Sequence, residues 1–476
     1  MAKKKQIKKP GAPPEKKKEQ LIQPAVPVKS KRNNPLLPYY ILFGFALLLY
    51  ANSLLNQYAL DDRMMITENQ FTKKGFDGIG EIISNDSFVG FFGKQKSLVA
   101  GGRYRPLSHV TFAIEYALFG FNPFIGHLLN IIIYAFTCLL IYRTLKMLFP
   151  PGKKQWYLTI PFIAAMLFIA HPLHTEAVTN IKGRDEIFSL LGSFGALYFV
   201  LKYVENSRPL NLVWASVVFF LGLMSKENAI TFAAVIPLTL YFFTKSPINK
   251  TFSSTACLVV VSIVFILIRY NILGFFMSNK IENELLNNPF IEADTAQKYA
   301  TILFTWGKYL LLLLFPYHLT HDYYPKQVTI IEMNDIRAIL PLLIYAALAI
   351  YAVRGFKRKN IISYSILFFG ITFSISSNLV FPIGAFMNER FMFVPLLGFC
   401  IVLAYLLAEY VPKKAVFYLA GAILLAYSVK TVARNPTWMN DYILFTTDVK
   451  VSSNSSKCNV SAGGQTLELS EKNLIR

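Results

Sequence analysis

Cysteine is scarce in this sequence. Four residues, Cys138, Cys257, Cys400 and Cys458, are scattered over 476 positions, and three of them fall inside apolar runs. That spacing excludes a disulfide framework and a Cys-x-x-Cys metal site. A cleavable leader is missing as well. The first 35 residues have neither a short apolar core nor a small-residue cleavage site, so the first apolar run is expected to remain as a membrane span. Those 35 residues carry eleven Lys or Arg against Glu15 and Glu19. A tail of this kind, residues 1–35, is expected to be disordered, cytoplasmic and held near anionic lipid. Aromatic residues and a folded module do not accompany its charges, which argues against nucleic acid as a partner. No internal repeat is evident, nor any low-complexity tract beyond the tail.

What the chain has in abundance is apolar sequence. Hydrophobic residues make up 54% of it and the mean hydropathy is +0.42, beyond the usual range of a soluble domain. Eleven runs read as spans: Leu37–Leu54, Pro123–Leu148, Trp156–Ile169, Ile187–Val204, Leu212–Met224, Ala229–Phe243, Phe252–Leu273, Ala338–Val353, Ile361–Phe381, Phe391–Ala408 and Ala415–Val432. The fold class expected is an all-α polytopic membrane protein. A twelfth run, Tyr299–Phe315, is read as a helix on the outer face. Counting it as a span would move the Arg354–Lys359 cluster outside, against the positive-inside rule. The resulting N-in, C-out topology puts residues of about 56–122, 171–186, 225–228, about 274–337, 382–390 and 433–476 on one side. Within the first of these loops, Phe76–Phe92 and Leu107–Phe119 read as amphipathic interfacial helices.

The unusual polar residues fall on that same side. Asp61 and Asp62 follow the first span. One of them reads as a general base, with its neighbour holding the geometry or raising its pKa by like-charge repulsion. The alternative is a solvated acidic pair. Arg103, Arg105, Lys182, Arg184, Lys226 and Arg390 are outer cations against the positive-inside trend, which suits a phosphate or pyrophosphate. The adjacent acids Asp185, Glu186, Glu227 and Glu389 offer local ion pairing instead. His171, His174 and Glu176 at the end of a short span are a weak metal set, because Pro172 breaks the helix between the histidines. Hydrogen bonding to a substrate, or a structural role, fits them better. His318, His321, Asp322, Tyr323 and Tyr324 read either as a gate or as an interfacial aromatic belt.

These residues stand in an ordered series. Leu60-Asp61-Asp62 precedes Gly102-Arg103-Tyr104-Arg105-Pro106-Leu107 and Leu118-Phe119-Gly120-Phe121-Asn122-Pro123 with His127 and Asn130. Then come His171-Pro-Leu-His174-Thr-Glu-Ala-Val178, Gly183-Arg184-Asp185, Ser225-Lys226-Glu227, Thr320-His-Asp322-Tyr323 and Asn388-Glu389-Arg390-Phe391-Met392. The series resembles the C-type-fold glycosyltransferases that use lipid-linked sugars. It is most similar to the transmembrane-and-tetratricopeptide-repeat (TPR) protein O-mannosyltransferases and their bacterial relatives. The resemblance implies transfer of a sugar, mannose in that family, from a polyprenyl-phosphate carrier to Ser or Thr hydroxyls of a protein on the non-cytoplasmic side. It implies Asp61 as the essential acid with Asp62 in support. It also implies Arg103, Arg105, His171, His174, Arg184, Asp185, Lys226, Glu227, Asp322, Tyr323, Glu389 and Arg390 as lipid-phosphate or substrate contacts. No cofactor is required in the eukaryotic relatives; a bound divalent metal would point to the oligosaccharyl-transferring branch.

The layout expected from the resemblance is a catalytic transmembrane domain over residues 36–432, followed by an outer segment, 433–476. In that segment Val460–Lys472 resembles the first helix of a TPR array. Here the family continues and this chain stops, either as a truncated product or fragment or because acceptors are recruited another way. A bacterial inner membrane is favoured over the endoplasmic reticulum by the Lys-rich tail. The rivals are the same fold acting on a lipid or glycan acceptor, a transporter, and an inactive scaffold. Against a transporter, no inverted repeat is evident and the polar residues lie on one face instead of at mid-bilayer.

Overall fold

A computed structural model describes residues 34–96, 102–150, 152, 154–276 and 288–474. The chain divides into a short N-terminal unit, Met1–Leu37, and a main unit, Pro38–Arg476. Residues 1–33 of the basic tail lie outside the described residues, and no strand occurs among those described. Helices of eight residues or more are numbered here. They are α1 Leu37–Tyr50, α2 Pro106–Phe119, α3 Pro123–Leu148, α4 Ile160–Ala170, α5 Arg184–Asn206, α6 Leu210–Ser225, α7 Phe232–Phe243, α8 Ile248–Leu273, α9 Thr295–Leu314, α10 Ile336–Phe356, α11 Ile361–Phe373, α12 Leu396–Tyr410, α13 Lys413–Arg434, α14 Asp441–Asp448 and α15 Ser456–Leu474.

Each of the eleven apolar runs carries a helix. Among the described residues, six helices are long and apolar enough to cross a membrane, or seven if the bent pair Ile160–Ala170 and Pro172–Thr179, kinked by 55°, is one span. Four more apolar helices are shorter, at 10–17 residues. With a rise of about 1.5 Å per residue, these fall short of a hydrocarbon core of about 30 Å. The twelfth run lies in α9, which is not among the candidate spans. Its start is fixed by a capping box in which Asp294 accepts from Gln297 N and the Gln297 side chain accepts from Asp294 N. Asp335 and Asn360 cap α10 and α11 with the side chain alone, accepting from Arg337 N and from Ile362 N and Ser363 N.

The core is built on α5 and the helices around it. Residues α5 and α6 form a hairpin through Ser207, whose φ of 58° gives the left-handed cap. The two helices touch backbone to backbone. A Cβ on Gly192 would stand 2.6 Å from Val218 O and 2.7 Å from Gly222 Cα. Small residues at such a seam replace the hydrophobic drive that lipid cannot supply. The hairpin brings the charged start of α5 and the Lys226-Glu227 turn after α6 to the same end, where Ser189 Oγ donates to Lys226 O at 3.4 Å.

One expectation is altered here. The stretch Phe76–Phe92 is not one amphipathic helix. It breaks into a 3-10 turn and two short helices, Ile79–Ser84 and Val89–Phe92, because Asp86 turns back to accept from Phe88 N and Arg103 N. The described part of the C-terminal segment docks on the first loop. Trp438, Leu444, Phe445 and Ala462 pack with Ala59. Gln57 N donates to Met439 O at 2.7 Å and Leu60 N to Asp441 Oδ1 at 2.6 Å. The end of the chain therefore braces the turn that carries the acidic pair.

Gly192→Val should push the hairpin apart and cost about 3 kcal/mol, the upper range for overpacking, seen as a lower melting temperature of the detergent-purified protein. Gly370→Ala on α11, where a Cβ meets nothing within 4 Å, should leave it unchanged or raise it slightly.

Candidate active site

Leu60 is the hinge of the site. Its φ of 56° places a β-substituted residue in the left-handed region, at a cost of about 1 kcal/mol, and the bond from its N–H to Asp441 holds it there. The next two side chains then leave in different directions. Asp61 faces a cleft of about 540 Å³. Asp62 is fully buried: its Oδ2 accepts from Ala59 N at 3.1 Å and its Oδ1 from Lys182 N at 2.7 Å.

The sequence leaves open whether the second acid holds the geometry of the first, raises its pKa by repulsion, or is simply solvated with it. The structure puts the two in opposite environments. Burial would raise the Asp61 carboxyl, but Lys182, Arg390 and Arg103 overcome that and hold it well below the usual carboxylate range. Lys182 Nζ and Arg390 Nη1 each stand 3.8 Å from Asp61 Oδ2. For Asp62, burial dominates and pushes the carboxyl up to about 7, against its two backbone donors. One acid is a cleft-facing anion; the other ties the acidic turn to the turn before α5.

The cations around Asp61 are themselves paired. Arg105 donates to Glu227 through Nε at 3.1 Å and Nη2 at 2.7 Å, and to Asp185 through Nη1 at 2.7 Å. Lys182 reaches Asp185 at 3.1 Å. Lys226 pairs with Glu186. Arg390 donates to Glu176 through Nη1 at 2.8 Å and through its backbone N–H at 3.2 Å. Arg103 is different: its guanidinium lies 5.1 Å over the Phe88 ring and makes no ion pair among the described residues. Phe265 and Ile266 of α8, with Phe276, Phe381 and Phe391, give the same cleft an apolar wall.

Of the residues singled out from sequence, the cleft gathers Asp61, Arg103, Arg105, Lys226, Glu227, His321, Asp322, Tyr324 and Arg390. Asp185 stands behind Arg105. The others are held elsewhere. His171 Nε2 bonds Leu313 O at 3.0 Å, and His174 bonds the Tyr134 hydroxyl at 2.8 Å and Phe393 O at 3.3 Å. Glu176 is on Arg390, so the His171–His174–Glu176 set does not converge. Among the described residues no group of three or more His, Cys, Asp or Glu is placed to hold a metal. Arg184 is buried against Glu115, Asn130 and Thr111. Glu389 is buried, accepts from Thr320 N at 2.6 Å and from the Tyr323 hydroxyl at 3.0 Å, and burial pushes it up to about 8. Glu389 and Tyr323 therefore shape the loop around Thr320 and do not reach the cleft.

Residues not named as site candidates in the sequence also line it: Arg269, Asn388 and Lys457. Arg269 had a legible signal, a charge inside an apolar run. Asn388, which caps the turn before Arg390, stood in the ordered series only as a neighbour of Glu389 and Arg390, and Lys457, on a polar helix, had no signal. On the cleft wall, His321 Nδ1 bonds Asp448 Oδ2 at 2.9 Å, and Asp448 also takes two bonds from Arg434.

A family model described as dolichyl-phosphate-mannose-protein mannosyltransferase matches residues 106–272. Human protein O-mannosyl-transferase TMTC3 is 28% identical over 474 residues, covering 92% of this chain and 50% of its own length. This chain is similar to the protein O-mannosyl-transferases. The Caenorhabditis elegans protein O-mannosyl-transferase F38B6.6 is also 28% identical, over 92% of this chain and 61% of its own. Drosophila melanogaster Tmtc3 is 28% identical over 74% and 45%. The chain thus spans about half the length of the curated relatives it matches. Among solved structures, the archaeal oligosaccharyltransferase AglB from Archaeoglobus fulgidus, in complex with an inhibitory peptide and a dolichol-phosphate, aligns with a TM-score of 0.45 and 13% identity. That alignment covers 88% of this chain and 56% of that one.

The His321–Asp448–Arg434 network supports a pH prediction. Burial would lower His321, but Asp448 holds it up at about 9, above its free value of 6.5. A raised histidine contributes stability that is complete below about 6.5 and is lost as pH rises through about 9. The melting temperature should fall over that window in the wild type. His321→Gln should lose stability at pH 6 and flatten the fall, and an unchanged slope in that variant would refute the assignment. Asp448→Asn should cost about 3–5 kcal/mol, since it leaves buried Arg434 unpaired.

Proposed function

We propose that the chain is a membrane glycosyltransferase that moves a sugar, mannose by its similarities, from a polyprenyl-phosphate carrier to Ser or Thr hydroxyls of a protein. The observation that carries this reading is Asp61: an ionised carboxylate at the edge of a cleft that has cations on one wall and an apolar surface on another. A lipid-linked phosphosugar needs both walls, and an acceptor hydroxyl needs the carboxylate.

In the proposed reaction the prenyl tail lies along Phe265, Ile266 and Phe276. The phosphate meets Arg103, with Arg105, Lys226 and Arg390 around it, where fixed cations stabilise charge growing on a leaving group. Asp61 takes the acceptor proton as the hydroxyl oxygen bonds the anomeric carbon. The bond from that carbon to the phosphate oxygen breaks, its electron pair stays on the phosphate, and the anomeric centre inverts. A carboxylate held far below neutrality is a weak base. Donor binding corrects this in the proposed scheme, because the phosphate offsets the cations that lower Asp61. Asp62 acts at one remove, by holding the Asp61 turn against Lys182.

The topology proposed is eleven spans of the C-type glycosyltransferase fold, N-terminus in and C-terminus out, with α9 on the outer face. One helix for each of the eleven apolar runs supports it, the four short ones being tilted or sunk into protein. The layout is a cytoplasmic tail, 1–35, a catalytic domain, 36–432, and an outer segment, 433–476. A bacterial inner membrane or the endoplasmic reticulum offers such a face.

Asp61→Asn should lower transfer from a labelled polyprenyl-phosphate mannose to a Ser/Thr peptide by at least about 100-fold in reconstituted vesicles, the scale expected for a lost general base. Melting temperature and retention of the lipid phosphate should be unaffected. Near-wild-type turnover in this variant would remove Asp61 from the role.

A further inference from the structure

Resting on that reading of the cleft, a second cation deserves assignment. The lining cations Arg105, Lys226 and Arg390 are each bound to carboxylates of the protein: Glu227 and Asp185, Glu186, and Glu176. Arg103 and Lys457 are lining cations with no ion pair among the described residues. They come from opposite kinds of surface. Arg103 belongs to the turn whose Gly102 packs close to Leu273 and Phe275, where a Cβ would stand 3.0 Å from Leu273 Cδ1. Leu273 ends α8, a long apolar helix that supplies the greasy wall. Lys457 belongs to the first turn of α15, a helix rich in Ser, Gly, Asn and charged residues that is not among the candidate spans.

Lys457 is also held in place. Ser455 Oγ donates to Asp322 Oδ2 at 3.0 Å and Ser456 N to Pro325 O at 3.0 Å. The ammonium lies 4.9 Å over the Tyr324 ring. Its backbone is therefore tied to the 320–325 loop at Asp322 and Pro325, while the side chain is exposed at the cleft. Its charge is among those that lower Asp61, so it is electrostatically within reach of the reacting centre. One anion, the donor phosphate, is matched by Arg103 on the lipid side. A second cation without an ion pair on the aqueous side is open to a second anion, and the reactant that arrives from water is the acceptor.

We propose that Lys457 is a specificity residue that binds a carboxylate of the acceptor polypeptide near the modified Ser or Thr, so that acidic acceptor segments are preferred. Such a contact is exposed and screened, so its effect is a selectivity of several-fold, falling with salt.

The test compares three Ser/Thr peptides that differ only in a flanking Glu, Gln or Lys. Wild-type protein in vesicles should transfer to the Glu peptide with kcat/KM about 2–5 times that for the Gln peptide, through KM, and the ratio should shrink at about 0.5 M salt. Lys457→Glu should invert the order, favouring the Lys peptide; Lys457→Arg should restore the original order. Equal ranking in wild type and Lys457→Glu overturns the proposal, and so does a rise in KM for the donor without a change among peptides. Binding of the same labelled peptides by fluorescence anisotropy, with no donor present, keeps the outcome separate from the catalytic reading. A charge-dependent preference there with no transfer would sink the proposed reaction and leave the Lys457 contact standing.

Discussion

A buried charge must be matched or neutralised, and around Asp61 this requirement binds together pieces of chain that are far apart in sequence. Arg105 is fixed by Asp185 and Glu227, Lys226 by Glu186, and Arg390 by Glu176. Removing Glu186 would leave Lys226 without an ion pair at low dielectric, which costs far more than the pair itself contributes. The cationic wall of the cleft is therefore held in place by ion pairs. Arg103 and Lys457, which have none among the described residues, and Asp61, which faces the cleft, are what remain for reactants.

The same logic separates the two adjacent acids. Identical side chains on neighbouring residues end in opposite electrostatic states, because a left-handed Leu60 sends one into a field of cations and the other into the protein interior. Environments that drive two carboxyl groups apart in acidity are the usual basis for giving them different tasks. Here one is exposed to a substrate and the other is a strut.

The apolar helices were legible from hydropathy alone, since each run long enough to bury its own backbone hydrogen bonds in lipid has little choice of structure. Asp61, Arg103, Arg105, Lys226 and Arg390 were legible as charges out of place beside apolar runs. What the sequence leaves open is decided by contact over distance. His171 and His174 could bond a substrate or serve the structure, and they are satisfied by the carbonyls of Leu313 and Phe393, more than a hundred residues away. Arg184 looks like a phosphate contact and meets Glu115 and Asn130 instead. The docking of residues 435–462 against residues 56–60 leaves little local trace, because backbone-to-backbone bonds such as Gln57 to Met439 do not depend on side-chain identity. Lys457 was invisible for the opposite reason: a lysine on a polar helix is the commonest thing a surface can show.

The glycine seam of the α5–α6 hairpin has a mechanical consequence. Backbones in direct contact cannot slide past one another without climbing over a carbonyl, so the two helices form a rigid fork whose open tips are Lys182–Asp185 and Lys226–Glu227. Arg105 sits across those tips, gripping Asp185 on one and Glu227 on the other. A guanidinium that spans a stiff fork works as a gauge: it fits one separation. Any rearrangement that opens the mouth of the cleft must then move the fork as a whole, or take place in the parts opposite it, in α8 and in the loop around Pro382.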